Sequence, residues 1–178
     1  LDDSVSAVNS GLYRARLRVG ERTPKRGVDS PSVDRAHRGL LDRYVAAWEA
    51  ADIDGLVQLL KEDASFPMPP LPTWVKGRAA IREFVSRHIL DGDARGRWRL
   101  IPTRANGQPA FAWYLRLSSP AGLTAFAIQV VTIEGGWISD ATTFGFPQLF
   151  SAFGLPPELE SDGRIERPEE SGPAVLGS

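Results

Sequence analysis

The chain has 178 residues, of which 42% are hydrophobic and 24% charged, and its formal net charge is −1. These values are typical of a globular protein with a sizeable core. The absence of cysteine excludes disulfides, thiolate catalysis and zinc–thiolate sites. The sequence has neither an apolar run of about 18 residues nor a secretory signal pattern, so we expect a cytoplasmic protein without membrane contact.

Charge is unevenly distributed along the chain. Residues 1–26 carry a net charge of +3, whereas residues 158–170 carry −4. A basic segment favours an anionic partner, although solvated helix faces show the same pattern. The polar, Pro- and Gly-containing end of the chain predicts a flexible acidic tail over residues 160–178. Met68 is the single methionine, so we expect the chain to be part of a longer protein.

Helical periodicity dominates the first half of the sequence. Residues 4–19 predict an amphipathic helix whose apolar stripe needs a packing partner, and residues 20–33, which contain Gly, Pro, Lys and Arg, predict a linker. The next helix covers residues 34–51, with its apolar side chains on one face. Further helices are predicted over residues 53–60 and 78–88. Asp52 is the expected cap of the shorter one.

The second half of the sequence has the alternating pattern of strands. The Asn106-Gly107 pair predicts a tight hairpin, and Gly135-Gly136 predicts a second one. The predicted strands cover residues 98–104, 110–117, 123–133 and 137–144. Because helices come first and hairpins follow, the sequence predicts an α+β domain with a curved antiparallel sheet packed on three helices.

Several apolar residues follow the last strand. The segment 144–159 contains four phenylalanines between Pro and Gly residues, and a short helix is predicted at residues 148–153. We expect this segment to pack on its own domain. Docking on a partner domain or on a second copy is the alternative.

Specific stretches of the sequence resemble a known family. Residues 41–60 (LDRYVAAWEAADIDGLVQLL) and 74–78 (WVKGR) are similar to SnoaL-like domains of the nuclear transport factor 2-like superfamily. Residues 98–111 (WRLIPTRANGQPAF) and 150–159 (FSAFGLPPEL) resemble the C-terminal domain of certain extracytoplasmic-function (ECF) RNA polymerase sigma factors. The resemblance implies a cone of curved sheet and helices over residues 34–159. Such domains often dimerise through the outer sheet face, which makes a homodimer an expectation.

The basic helix resembles a separate part of the same proteins. Residues 4–16 (SVSAVNSGLYRAR) are similar to the recognition helix of sigma region four, so residues 1–19 are interpreted as the end of that region. The resemblance implies RNA polymerase core and promoter DNA as partners of the longer parent protein. Recognition helices read bases from their first turns and meet phosphates farther along. The expected DNA-contacting residues are Ser6, Ala7, Asn9, Ser10, Arg14, Arg16 and Arg18.

The cone of this fold encloses a pocket. Aromatic side chains are abundant enough to line an apolar site, although they could also simply fill the cone. The expected pocket residues are Tyr44, Trp48, Phe66, Trp74, His88, Trp113, Phe126, Ile128, Gln129 and Phe144. The expected ligand is a small apolar molecule, with no cofactor. Two histidines and no cysteine argue against a metal site.

Enzymes of this fold use a buried carboxylate as a base, and the sequence offers candidates. Asp63, Arg78 and Asp140 could form such a set, provided that burial raised the pKa of a carboxyl. Capping or surface ion pairs are the alternative role of these residues. Three interpretations therefore stay open. They are a regulatory domain of a sigma factor, a free-standing isomerase, cyclase or epoxide hydrolase that uses Asp63 and Asp140, and a non-catalytic binding or dimerisation module.

Overall fold

A computed structural model describes residues 31–117 and 122–160 of the chain, with side chains from residue 37 onward. The helices predicted by periodicity form α1 (Pro31–Glu49), α2 (Ile53–Gln58) and α3 (Arg78–His88). The Asp52 side chain accepts a hydrogen bond from the Gly55 backbone N–H at 2.9 Å, which confirms the predicted cap. A Cβ at Gly55 would collide with that carboxylate, so a larger residue here would displace the Asp52 side chain. The predicted helix at residues 4–19 lies outside the described residues.

Seven strands form one curved sheet. They are β1 (Leu60–Pro67), β2 (Trp74–Lys76), β3 (Trp98–Ala105), β4 (Gln108–Leu115), β5 (Leu123–Glu134), β6 (Trp137–Phe144) and β7 (Glu158–Leu159). Six of them lie in the order β2-β1-β6-β5-β4-β3, and β7 pairs with β5. Asn106 and Gly107 have φ angles of 52° and 80°, as the predicted hairpin between β3 and β4 requires.

One strand pair departs from the antiparallel sheet that the sequence predicts. The β1 strand runs parallel to β6, with Leu60 opposite Ile138 and Ser65 opposite Asp140. A parallel pair needs a long crossover connection, and here the two strands are separated by α3 and four intervening strands. Residue periodicity carries no information on such a distant pairing. The sheet is therefore mixed, although the α+β class is as predicted.

The sheet separates two clusters of buried side chains. The inner cluster lies between the concave face and the helices and includes Trp48, Phe66, Ile81 and Trp113. The outer cluster covers part of the opposite face and includes Tyr114, Ile128, Phe150 and Leu159. The central strands β4 and β5 contribute buried residues to both clusters, because successive side chains of a strand point to opposite faces.

The segment after β6 covers part of the outer face. Its 3₁₀ helix, Pro147–Phe153, ends at Gly154, whose φ of 65° terminates the helix. Phe150 is 1% exposed and makes an edge-to-face contact with Tyr114. The Tyr114 hydroxyl donates to the Pro156 carbonyl at 2.9 Å. The predicted packing of this apolar segment on its own domain is therefore confirmed.

Candidate functional site

An aromatic cavity opens between α3, the inner sheet face and the loop that follows β1. Its volume is about 320 Å³, within the usual range of small-molecule sites. It is lined by Phe66, Met68, Leu71, Phe84, His88, Ile89, Trp98, Trp113, Phe126 and Thr143. A second hollow of about 300 Å³ shares Met68, Leu71, Phe126 and Thr143 with it and continues toward Pro147. We call this pair of hollows the aromatic cavity.

The aromatic side chains of the cavity pack edge to face rather than filling the space. The Trp113 ring lies 5.3 Å from that of Trp98, and Trp98 lies 5.2 Å from Phe126. On the α3 side, Phe84 contacts both Phe66 and His88. Edge-to-face contacts stabilise aromatic pairs beyond the area that they bury. The packing therefore leaves an opening lined largely by aromatic rings.

A chain of buried polar side chains lies beneath the cavity. The Tyr44 hydroxyl donates to Gln129 Oε1 at 2.7 Å, and Gln129 Nε2 donates to Thr143 Oγ1 at 2.8 Å. Tyr44, Gln129 and Thr143 are 1%, 0% and 5% exposed. Buried polar groups of this kind are costly unless they are paired, so the chain of bonds fixes all three side chains. Thr143 brings the end of this chain into the cavity wall.

Four predicted pocket residues line the cavity. These are Phe66, His88, Trp113 and Phe126. Tyr44, Trp48 and Gln129 lie in the buried layer beneath it, where Trp48 stacks on Phe66 and meets Trp113 edge to face.

Three other predicted pocket residues lie elsewhere. Trp74 is 74% exposed on the edge strand β2. Ile128 belongs to the outer cluster, and Phe144 is paired with it across β5 and β6. Strand alternation therefore places Ile128 and Phe144 on the face opposite the cavity.

Six residues that line the first hollow were not predicted. The sequence identifies Phe84 as part of a helix core face and Trp98 as the start of a strand, but neither as a cavity residue. Met68 and Leu71 lie in the proline-rich loop whose course depends on tertiary contacts, such as the bond from the Gly145 N–H to the Pro69 carbonyl. The sequence contains no pattern that identifies Ile89 or Thr143 as a cavity residue. Thr143 could have been found from its position two residues after the inward-facing Ala141.

The three residues proposed for catalysis lie apart from the cavity. The Asp63 side chain is 66% exposed and lies 3.6 Å from Lys61 Nζ, as expected for a surface pair. Arg78 donates to the Leu60 carbonyl and lies over the Trp137 ring at 5.7 Å. Among the described residues that line the cavity, none is acidic.

Asp140 faces outward because of a bulge. The sequence predicts that it shares a face with Ile138, Thr142 and Phe144. Ile138 is instead fully buried in the inner cluster, since the register between β5 and β6 shifts between Thr132 and Ile133. Asp140 accepts hydrogen bonds from the hydroxyls of Ser65 and of Thr142, the latter at 2.6 Å. The predicted shared face with Ile138 is therefore wrong.

The described part of the chain places further limits on the site. No three His, Cys, Asp or Glu side chains in it are grouped so as to hold a metal ion. No helix in residues 31–117 or 122–160 has the length and apolar character needed to span a bilayer.

The family follows from the sequence. The profile of the SnoaL-like domain family matches residues 41–141. The chain belongs to the SnoaL-like domain family. The match runs from α1 to β6 and therefore contains most of the inner cluster and most of the aromatic cavity of this SnoaL-like domain.

Two solved structures share the fold. A crystal structure named "putative ketosteroid isomerase", from Kribbella flavida, has a TM-score of 0.50 and 21% identity, and the match covers 81% of this chain and 95% of that one. A nuclear transport factor 2-like protein of unknown function from Burkholderia xenovorans also has a TM-score of 0.50, at 13% identity, with 76% and 90% covered. The fold of the SnoaL-like domain is therefore nuclear transport factor 2-like, as predicted.

The chain is similar to a curated relative over more residues than the SnoaL-like domain profile matches. The ECF RNA polymerase sigma factor SigG of Mycobacterium tuberculosis is 37% identical over 158 residues, which is 88% of this chain. The same match is found in two strains of that organism. The match covers 42% of the length of SigG, so this chain spans less than half of the relative.

The two buried tyrosines predict a loss of stability at alkaline pH. Burial raises the pKa of Tyr44 above its ordinary value and raises the pKa of Tyr114 to about 12. An unfolded tyrosine loses its proton near pH 10. Above about pH 10 the unfolded chain holds fewer protons than the folded one, so the free energy of unfolding falls as pH rises.

The Tyr114→Phe variant tests this prediction. Its free energy of unfolding in urea should decline less between about pH 10 and 12 than that of the unsubstituted chain. An equal decline in the free energy of unfolding for the two proteins would contradict the raised pKa of Tyr114.

Proposed function

We propose that this chain is the C-terminal part of an ECF sigma factor, in which the SnoaL-like domain regulates transcription initiation in the cytoplasm. The observation that carries the proposal is the extent of the similarity to SigG. It covers 158 residues, whereas the SnoaL-like profile matches residues 41–141 only. Shared ancestry of the domain alone does not account for similarity in the flanking segments. RNA polymerase core and promoter DNA would be bound by the longer parent.

The basic segment at the start of the chain supports this proposal. Its resemblance to a recognition helix assigns DNA contacts to Ser6, Asn9, Arg14, Arg16 and Arg18, together with Ala7 and Ser10. These residues lie outside the described part of the chain, so the assignment rests on sequence. Regulation then requires that the SnoaL-like domain favours one arrangement of the sigma domains over another.

The aromatic cavity supplies a means of control by a small molecule. A ligand shifts an equilibrium between two arrangements only when it binds one of them more tightly. The cavity opens beside the exposed rim residues Leu71 and Phe126, which are 59% and 37% exposed. A change at this rim on ligand binding could therefore alter a contact with the sigma domains.

The geometry gives less support to a free-standing enzyme and to a homodimer through the outer sheet face. An enzyme that uses Asp63 and Asp140 would need these carboxylates in the cavity, and they lie on exposed and outward-facing surfaces. A homodimer through the outer sheet face would meet the segment Pro147–Phe153 and β7, which already pack there. Neither interpretation is part of the proposal.

Promoter-specific transcription with the full-length parent tests the regulatory role. We expect removal of residues 34–178 to change transcript yield by about fivefold or more, the usual scale of coupling between sites. Removal of residues 160–178 alone is the matched control and should leave the yield unchanged. Equal yields with and without residues 34–178 would refute the proposed regulation.

A further inference from the structure

The two outermost strands of the curved sheet, β2 and β3, differ in whether a further strand can be added. On β3, the Leu100 N–H donates to Glu49 Oε1 at 3.1 Å, and Pro102, which faces the same way, has no N–H. Proline and charged side chains at an edge hinder pairing with another chain. Within the described residues, no strand lies beyond β2. The β2 edge is therefore the open one.

The hydrogen-bond pattern between β1 and β2 shows which backbone groups this edge presents. The bonds that flank the ladder come from the Gly77 N–H at 2.8 Å and go to the Thr73 carbonyl at 3.0 Å. Successive residues of an antiparallel strand direct their N–H and C=O groups to opposite sides. Val75, midway between these bonds, therefore faces β1. Trp74 and Lys76 direct their backbone N–H and C=O groups away from β1, toward the open edge.

The side chains of β2 divide between the two faces of the sheet. Val75 is half-buried and packs against the inner cluster. Trp74 and Lys76 project from the opposite face, where both are exposed, Trp74 to 74%. Leu71, in the loop that leads into β2, is 59% exposed. Tryptophan is a residue type that folded proteins mostly bury, so this edge carries apolar surface that a second chain could cover.

A two-fold axis beside Val75 makes the β2 edge complementary to itself. Two β2 strands related by this axis run antiparallel, so Trp74 of each copy lies opposite Lys76 of the other. Because the backbone groups of both residues face the edge, each Trp74–Lys76 pair can exchange two N–H···O=C bonds. The same pairing brings each ammonium beside an indole, where cation–π attraction favours contact. The lysine, which would oppose other strand pairings, thus favours this one.

We propose that β2 pairs with β2 of a second copy of this chain, in a symmetric dimer that joins two curved sheets at their edges. The inference goes beyond the proposed regulatory function and does not depend on it. A contact of three residues on each side, with Leu71 beside it, is smaller than the interfaces of stable dimers. The expected dissociation constant therefore lies between about 10 µM and 1 mM.

Sedimentation equilibrium of the 178-residue chain between about 5 and 500 µM tests the association. The mass should rise with concentration from 19.4 kDa toward twice that value. Lys76→Pro removes an N–H that faces the edge and leaves the β1–β2 bonds intact, so it should weaken association about 10-fold or more. Arg104→Pro removes an N–H from the β3 edge in the same way. It is the matched control and should leave association unchanged.

A second pair of variants tests the contact between lysine and tryptophan. Lys76→Met keeps the length and apolar part of the side chain but removes its charge. Because both symmetric pairs lose their cation–π contact, the dimer should weaken about 5- to 30-fold. Lys76→Arg keeps a cation beside the indole and should retain the affinity within about threefold.

Crosslinking locates the two-fold axis, since the native chain contains no cysteine. In the proposed register Val75 lies opposite Val75 of the second copy, with Cα atoms about 4.5 Å apart. A disulfide spans such a distance, so mild oxidation should link Val75→Cys chains into covalent dimers. Thr103→Cys is the control, because Thr103 is equally half-buried and occupies the corresponding position on β3. It should remain monomeric.

Three results would overturn the inference. They are a monomeric mass at all concentrations up to about 500 µM, unchanged association of Lys76→Pro, and equal crosslinking of Val75→Cys and Thr103→Cys. Circular dichroism and thermal unfolding check that each variant is folded. Should Lys76→Pro fail to fold, the comparison of Lys76→Met with Lys76→Arg and the two cysteine variants carry the test.

Discussion

Replacement of Trp48 by alanine is expected to lower the free energy of unfolding by about 3–5 kcal/mol. Trp48 is 1% exposed and joins α1 to the inner sheet face. Its ring stacks on Phe66 at 6.3 Å and meets Trp113 edge to face at 4.6 Å. The substitution leaves a large space that rigid neighbours cannot fill. Urea unfolding followed by circular dichroism measures the loss.

Trp74→Ala is the matched control for this substitution. It removes the same side chain from β2, where Trp74 is 74% exposed. We expect a change within about 0.5 kcal/mol, as for most surface substitutions. Similar losses for Trp48→Ala and Trp74→Ala would show that Trp48 is not packed in the inner cluster.

Replacement of Phe150 by alanine is expected to have a comparable effect, of about 3–5 kcal/mol. Phe150 is 1% exposed in the outer cluster and lies 5.1 Å from the Tyr114 ring. Its loss should also loosen the bond from the Tyr114 hydroxyl to the Pro156 carbonyl. Chemical denaturation with intrinsic fluorescence as the readout measures the effect.

Phe126→Ala provides the comparison for Phe150→Ala. Phe126 is 37% exposed at the rim of the aromatic cavity, so its truncation removes less buried surface. We expect a clearly smaller loss of stability than for Phe150→Ala. The reverse order would mean that the segment Pro147–Phe153 does not pack on the outer face in solution.

Local features of the structure could be predicted from the residues that form them. The cap at Asp52 and the hairpin at Asn106-Gly107 depend on a few neighbouring residues, and the structure confirms both. The α+β class follows in the same way from a change of periodicity along the chain. One boundary shifted, because Leu60 ends the predicted second helix but begins β1. The pairing of β1 with β6, which decides this boundary, is not local.

Strand faces could be predicted only where alternation is regular. The bulge between β5 and β6 turned Asp140 away from the face of Ile138. A second register shift, between Trp113 and Tyr114, leaves Phe126 of β5 without a partner on β4, and Phe126 lines the cavity. Such shifts arise from the fit between neighbouring strands, and the spacing of apolar residues in the sequence does not predict them.

The sequence by itself determined the SnoaL-like family, the order of helices and hairpins, and the aromatic character of the pocket. Only the tertiary structure decided which aromatic side chains line the cavity, that Thr143 lies within its wall, and that Asp63 and Asp140 lie outside it. The physical reason is the range of the interactions. Periodicity and turn chemistry act over a few residues, whereas the cavity is formed by side chains from Phe66 to Thr143 that strand pairing and register bring together.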